Sequence, residues 1–191
     1  MPTKNEWREK YLKLRTLLDE NEVEHKSREI EEHLFTSVVL KDVKVLHVFH
    51  TIPDRNEVQT AGIINRLLEE YPHIRLATSK SDLKKRSLEA LYFDRSTFLR
   101  ANKWGIPEPM NGEVCDPKDI DMVLAPMLVC DVKGNRVGYG LGFYDSFLAT
   151  CKPETKRIGL SLFPPVALIE NVDSWDIPMH GLVSPEGYIS F

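Results

Sequence analysis

Apolar positions recur along the chain in two alternating rhythms, and the alternation predicts an α/β protein. From Lys4 to Leu18, Trp7, Tyr11, Leu14 and Leu18 fall at i, i+4, i+7 and i+11, the stripe of an amphipathic helix. Asp19 to Glu22 interrupts it, and Val23, Ile30, Leu34 and Val38 mark the inward face of a second helix. Val43 to Phe49 is rich in β-branched residues and reads as the first strand. Glu57 to Glu70 carries Val58, Ala61, Ile64, Leu67 and Leu68 on one helical face and stops before Pro72; Ile74 to Ser79 is the next strand. Met122 to Cys130 is a nearly continuous apolar run, suited to a buried strand and too short for an ordinary helix. Phe143, Phe147 and Leu148 then recur at helical spacing, and the chain returns to a strand around Ile158. Such β-α-β succession predicts a mostly parallel sheet with helices on both faces. Beyond Pro164-Pro165, Gly181 to Ser184 and Gly187 to Phe191 flank Pro185-Glu186 and predict a C-terminal edge hairpin. Only Lys80 to Leu99 resists: Leu83, Leu88, Leu91, Phe93 and Phe98 fit neither period.

Composition narrows what this scaffold does. At 191 residues and 42% hydrophobic content, one three-layer domain spanning 1–191 can bury a core of its own. The formal charge of −4, from 25 basic and 29 acidic residues well mixed, gives no general attraction to nucleic acid or anionic membrane. No apolar run approaches the ~18 residues of a membrane span, and the amino terminus lacks a signal-peptide core. A cytoplasmic protein is therefore expected; the expectation of a monomer acting on small molecules does not follow from composition. Cys115, Cys130 and Cys151 are too few and too scattered for a disulfide frame or a zinc site.

Candidate chemistry concentrates in Gly138-Tyr139-Gly140-Leu141-Gly142-Phe143-Tyr144-Asp145, between the apolar strand and the short helix. Glycines two apart let the backbone take positive φ and approach a ligand, and free N–H groups at a helix start favour an anion. The G-x-G-x-G spacing matches neither the dinucleotide fingerprint nor the phosphate loop of nucleotide hydrolases. Asp145 would repel a phosphate there unless a cation intervened, and magnesium commonly bridges carboxylates to phosphates. Capping or first-turn charge explains the same residue equally well. Lys4, Arg8 and Arg15 form a basic stripe on the first helix, either a solvated face or a site for an anion. Asp173, Asp176 and His180 could gather around a metal, although their spacing is no established ligand signature.

Several motifs together resemble one family. Asp121 to Pro126, then Asp131, Gly134, Arg136 and Gly138 to Asp145, are similar to the signature of the 5-formyltetrahydrofolate cyclo-ligases, also called 5,10-methenyltetrahydrofolate synthetases. Lys4, Arg8 and Arg15 resemble its amino-terminal basic motif, and Asn56-Glu57-Val58 with Thr60 its substrate loop. Trp104 to Pro109 and Trp175 to Pro178 resemble its mid-chain and carboxyl-terminal motifs, so the likeness covers nearly the whole chain.

The resemblance implies ATP-dependent closure of 5-formyltetrahydrofolate to 5,10-methenyltetrahydrofolate, with ATP as co-substrate and Mg²⁺ as cofactor. It implies ATP contacts from Lys4, Arg8, Arg136, Gly138, Tyr139, Gly140, Leu141, Gly142, Phe143 and Tyr144, and magnesium on Asp145 and Asp176. Folate contacts would come from Ile52, Glu57, Trp104 and the loop from Tyr139 to Phe143, and catalytic parts would fall to Arg136, Tyr144 and Asp145. Leu141, Pro165 and His180 depart from residues common in the family at those places. Such departures bear on substrate affinity; the separate alternative is a relative without turnover that binds folate or nucleotide to sequester or sense it, against which stand the retained Asp145 and Asp176.

Overall fold

The computed structural model describes residues 2–82 and 84–191; Leu83, one of the apolar positions of the ambiguous stretch, lies outside them. Two helices open the chain, α1 (Lys4–Leu17) and α2 (Glu20–Ser37). Each starts in a capping box: Thr3 with Glu6, and Asp19 with Glu22, satisfy amide donors that the first turn leaves free. There follow β1 (Val45–Val48), α3 (Ala61–Glu70), β2 (Arg75–Asp82), β3 (Ser87–Phe93) and a small hairpin, β4 (Leu99–Ala101) with β5 (Pro107–Pro109). Then come β6 (Met122–Pro126), a second small hairpin of β7 (Val129–Cys130) and β8 (Arg136–Val137), α4 (Phe143–Leu148), β9 (Lys156–Leu160), β10 (Gly181–Ser184) and β11 (Gly187–Ser190).

Seven strands form one sheet in the order β11-β10-β9-β6-β1-β2-β3. The five inner strands pair in parallel, and β11 and β3 add to the edges antiparallel. Strand alternation sends Leu46, Val48, Leu76, Leu124 and Ile158 to one face, where Ile30 and Leu34 of α2 and Ile63, Ile64 and Leu67 of α3 cover them. Val45, Ala77, Val123 and Ala125 face the other side, against Phe147 and Leu148 of α4. Tyr11 of α1 seats on a third cluster, with Leu128, Val129, Val137 and Ile169, beside the second small hairpin. The α/β class, the helices on both faces and the terminal hairpin are as the apolar pattern predicts. Among the described residues no helix is long and apolar enough to cross a membrane.

Three expectations are corrected. The run from Met122 to Cys130 is not one strand: β6 ends at Pro126, which lacks an amide donor, and the Leu128 amide turns to the Val137 carbonyl to start a separate hairpin. The helix expected from Glu57 begins only at Ala61. Residues 57–60 serve the loop after β1 instead, with the Thr60 hydroxyl donating to the Phe49 carbonyl and the Thr51 hydroxyl to that of Val58. Lys80 to Leu99 is largely an antiparallel ribbon in which Leu76 pairs with Phe93 and Asp82 with Ser87. Its outer end is half-exposed on both faces, so no single apolar period marks it.

Candidate active site

A cavity of about 500 Å³ opens at the carboxyl ends of β1, β2 and β6, where open parallel sheets place their ligands. Its walls come from α1, the loop after β1, the β4–β5 turn, the glycine loop with α4, and residues 173–176. The cavity takes lining residues from each of the motifs singled out in the sequence, while Arg15, Asn56, Asp131, Gly134 and the mid-chain Glu108 stay outside its lining. The Glu108 carboxylate is buried and accepts from the Ser81 amide at 2.8 Å and the Asn102 side chain at 2.9 Å, fixing the β4–β5 turn to β2.

One end brings the glycine loop together with Lys4, Arg8 and Arg136 and with Asp145, Asp173 and Asp176. Gly140 and Gly142 take φ of 90° and 72°, the left-handed region that only glycine enters without strain. Arg8 holds this loop, its Nε donating to the Gly138 carbonyl at 2.9 Å. The guanidinium lies so close that a Cβ on Gly140 would come within 3.0 Å of it. Asp145 Oδ1 accepts from Arg136 Nη2 at 2.6 Å and from the Ile177 amide at 3.0 Å, while Arg136 Nη1 donates to the Ile177 carbonyl at 2.5 Å. Lys4 Nζ spans Asp173 and Asp176 at 2.5 and 2.7 Å. Burial alone would lower the lysine pKa, but the hydrogen bonds and charges of the two aspartates outweigh it and raise the value.

Asp145 and Asp176 thus line one cavity, each with a cation of the chain on one oxygen. Asp145 Oδ2 and Asp176 Oδ1 make no hydrogen bond among the described residues. Two carboxylates with free oxygens beside a phosphate-sized space suit a magnesium ion, which takes one or two protein carboxylates together with substrate phosphates. The wider cluster of Asp173, Asp176 and His180 is not assembled, and no group of three metal-capable side chains occurs among the described residues. His180 is occupied by Arg157, whose Nη2 lies 2.7 Å from its Nε2.

The other end is flatter and less polar. Trp104 and Phe143 meet edge to face at 6.1 Å, with Ile52 nearby across Gly105, a wall that suits a planar heterocycle. Glu57 stands beyond them, 6% exposed. Its Oε2 accepts from the Ile52 amide at 2.9 Å and its Oε1 from the Tyr139 hydroxyl at 2.7 Å. Tyr144 packs over His47 at 6.1 Å. Burial, and then the charge of Glu57, push its pKa far above the usual phenol value, so it remains a hydrogen-bond donor at neutral pH. His47 is fully buried, bonded to Ser79 Oγ at 2.7 Å, and held neutral with a pKa of about 3 by burial.

Sequence reasoning placed Arg15 in the basic stripe and gave it no contact of its own; it turns inward, to Tyr139 at 2.9 Å and toward Glu57 at 3.7 Å. A signal was present, because Arg15 is four residues after the buried Tyr11 and shares its inward side. His50 also lines the cavity without having been singled out, and so do Asp173, named for the metal cluster, and Trp175, named in the carboxyl-terminal motif. Leu141 sits 46% exposed at the rim.

A family model for the 5-formyltetrahydrofolate cyclo-ligases matches residues 1–184. The chain belongs to the 5-formyltetrahydrofolate cyclo-ligase family. With that membership comes a class of enzyme, a ligase acting on folate. Among the relatives, the 5-formyltetrahydrofolate cyclo-ligase of Haemophilus influenzae is 25% identical over 178 residues, covering 88% of each chain. A probable 5-formyltetrahydrofolate cyclo-ligase of Schizosaccharomyces pombe is 30% identical over 112 residues, 51% of this chain and 54% of that one. Among solved structures, the Aquifex aeolicus 5,10-methenyltetrahydrofolate synthetase superposes with a TM-score of 0.77 at 25% identity, over 98% of this cyclo-ligase family member and 92% of that chain. The Mycoplasma pneumoniae 5,10-methenyltetrahydrofolate synthetase shares the fold, with a TM-score of 0.72 at 21% identity over 95% and 98% of the two chains.

Proposed function

We propose that this chain converts 5-formyltetrahydrofolate to 5,10-methenyltetrahydrofolate, using ATP with Mg²⁺ and releasing ADP and phosphate. The observation that supports the reading is that one cavity joins an end lined by the glycine loop, Lys4, Arg8 and Arg136 to an end lined by Trp104, Phe143 and the buried carboxylate of Glu57. An amide-like formyl oxygen is a poor leaving group. Transfer of the ATP γ-phosphoryl group to it makes a good one; N10 then attacks the formyl carbon, and the C–O bond breaks to expel phosphate. No protein nucleophile is needed, and catalysis consists of alignment and charge neutralisation.

In this scheme Lys4, Arg8 and the loop from Gly138 to Gly142 hold the ATP phosphates, and Arg136 balances charge on the transferred group. Tyr144, protonated at neutral pH, donates a hydrogen bond at the reaction centre. Asp145 and Asp176 would hold magnesium, which supplies charge neutralisation on the phosphates when bound. Glu57, with lone pairs remaining on both oxygens, accepts from the polar edge of the pterin, while Ile52, Trp104, Tyr139 and Phe143 wall the rings. The described chain supplies all of these residues, which supports action as a monomer, and the three cysteines are free, which suits a reducing compartment such as the cytoplasm. Mixing purified protein with 5-formyltetrahydrofolate should produce the methenyl chromophore with Mg-ATP and not without it. Folate binding with no chromophore under any nucleotide would instead establish the sequestering reading.

A further inference from the structure

We propose that Arg15 is a positioning residue for folate, acting on Glu57 directly and through the Tyr139 hydroxyl; this rests on the assignment of Glu57 to folate. Arg15 and Glu57 are 4% and 6% exposed. Buried charges are tolerated when they are paired and hydrogen-bonded, and Arg15 is the only cation within 4.0 Å of Glu57 among the described residues. Arg15 does not line the cavity, whereas Glu57 and Tyr139 do, so it stands behind the groups a ligand would meet.

The hydrogen-bond directions follow from donor inventory. A guanidinium only donates, so Arg15 Nη2, 2.9 Å from the Tyr139 oxygen, occupies an acceptor lone pair there. The phenolic proton is thereby left to point at Glu57 Oε1, 2.7 Å away. Arg15 Nη2 also donates to the Arg55 carbonyl, and the Arg15 carbonyl accepts from the Asn56 side chain at 2.8 Å. One residue of α1 thus holds the loop carrying Glu57 by its backbone and fixes one carboxylate oxygen through Tyr139. The other oxygen is fixed by the Ile52 amide, so the carboxylate plane is set before any ligand arrives. Preorganisation of this kind reduces the ordering cost of binding.

The test is a double-mutant cycle read as equilibrium affinity for 5-formyltetrahydrofolate and, separately, for Mg-ATP, by titration of the full chain. Arg15→Met should weaken folate binding tenfold or more and change the Mg-ATP affinity less than twofold. In the Glu57→Gln background the same substitution should add less than twofold, because the group it positions is already altered. Arg15→Lys, which restores charge without the fork, should recover part of the loss. Should Arg15→Met fail to fold, Tyr139→Phe removes only the relaying hydroxyl and should still weaken folate binding at least threefold. Equal losses from Arg15→Met in both backgrounds, equal losses for both ligands, or an unaffected Tyr139→Phe would overturn the proposal. Absence of folate binding by the unaltered chain would overturn the functional reading and this inference with it.

Discussion

Glu57 shows how much a single carboxylate can carry once both of its oxygens are held. Glu57→Gln keeps the shape but loses the charged acceptor, a hydrogen bond worth roughly 1.5–3 kcal/mol. Folate affinity should therefore fall about 10- to 150-fold with little change for ATP; equal losses for both substrates would mean that Glu57 shapes the site without reading the pterin. Asp145 poses a different question, because Arg136 already neutralises it. Asp145→Asn retains an oxygen for the Ile177 amide but leaves the buried Arg136 guanidinium without its counter-charge, so stability should fall by about 1–3 kcal/mol. If the residue also holds magnesium, turnover should collapse and the magnesium requirement rise, with folate binding spared. Normal turnover at low magnesium would place the ion elsewhere and weaken the assignment of Asp176 with it. Lys4 and Arg8, replaced together by Gln, should weaken ATP binding at a cost to stability of about 1 kcal/mol or less, since ion pairs near the surface contribute little; an unchanged ATP affinity in that variant would return both residues to a structural part.

Among the elements, the β7–β8 hairpin brings Arg136 and the glycine loop into place, and Asp131 organises it. That buried carboxylate accepts from the amides of Lys133, Asn135 and Ile169 and from the Asn135 side chain, at 2.9, 2.9, 3.1 and 2.9 Å. Asp131→Asn would turn an NH₂ group against donors, leaving buried groups unsatisfied at about 1–3 kcal/mol each. Thermal unfolding should shift down by several degrees, with loss of the glycine-loop site at temperatures where the sheet persists; an unshifted midpoint would show that the turn holds without it. The element scale also shows what the sequence made legible. Of the regular segments, α2 was readable because one face is wet and the other dry, whereas β1, buried along its whole length, was readable through its β-branched residues and the terminal hairpin through the Pro185-Glu186 turn between its strands. The split at Pro126 was not, because apolar residues fill both sides of the break and only hydrogen bonding tells where the chain turns. The place of the glycine loop beside the cavity was legible through glycine spacing and the family likeness. Arg15 was hidden because a basic residue in a basic stripe reads as exposed until the partner 42 residues away, Glu57, is folded onto it.

For the whole molecule, the sheet that frames the cavity carries a titrating group in its centre, and this sets how stability responds to pH. His47 on β1 is fully buried between Ser79 and Phe147. Burial lowers its pKa from 6.5 to about 3 in the folded state. Below pH 6.5 the unfolded chain takes up a proton that the folded chain refuses, so stability is complete above that pH and declines as pH falls toward 3. The decline tends to about 1.4 kcal/mol per pH unit, or about 2 kcal/mol between pH 7 and pH 5. His50 and His180, also lowered by burial, act in the same direction. Glu31, raised by burial on α2, opposes them over the lower part of the range, and carboxylates held below their usual values, such as Asp121, respond only at still lower pH. Urea unfolding followed at pH 7 and pH 5 should therefore show a clear loss of stability on acidification. His47→Leu, although less stable at pH 7 for want of a partner to Ser79, should lose much less between those two values. A variant whose stability falls as steeply as that of the unaltered chain would show that the acid sensitivity of the sheet arises from other groups.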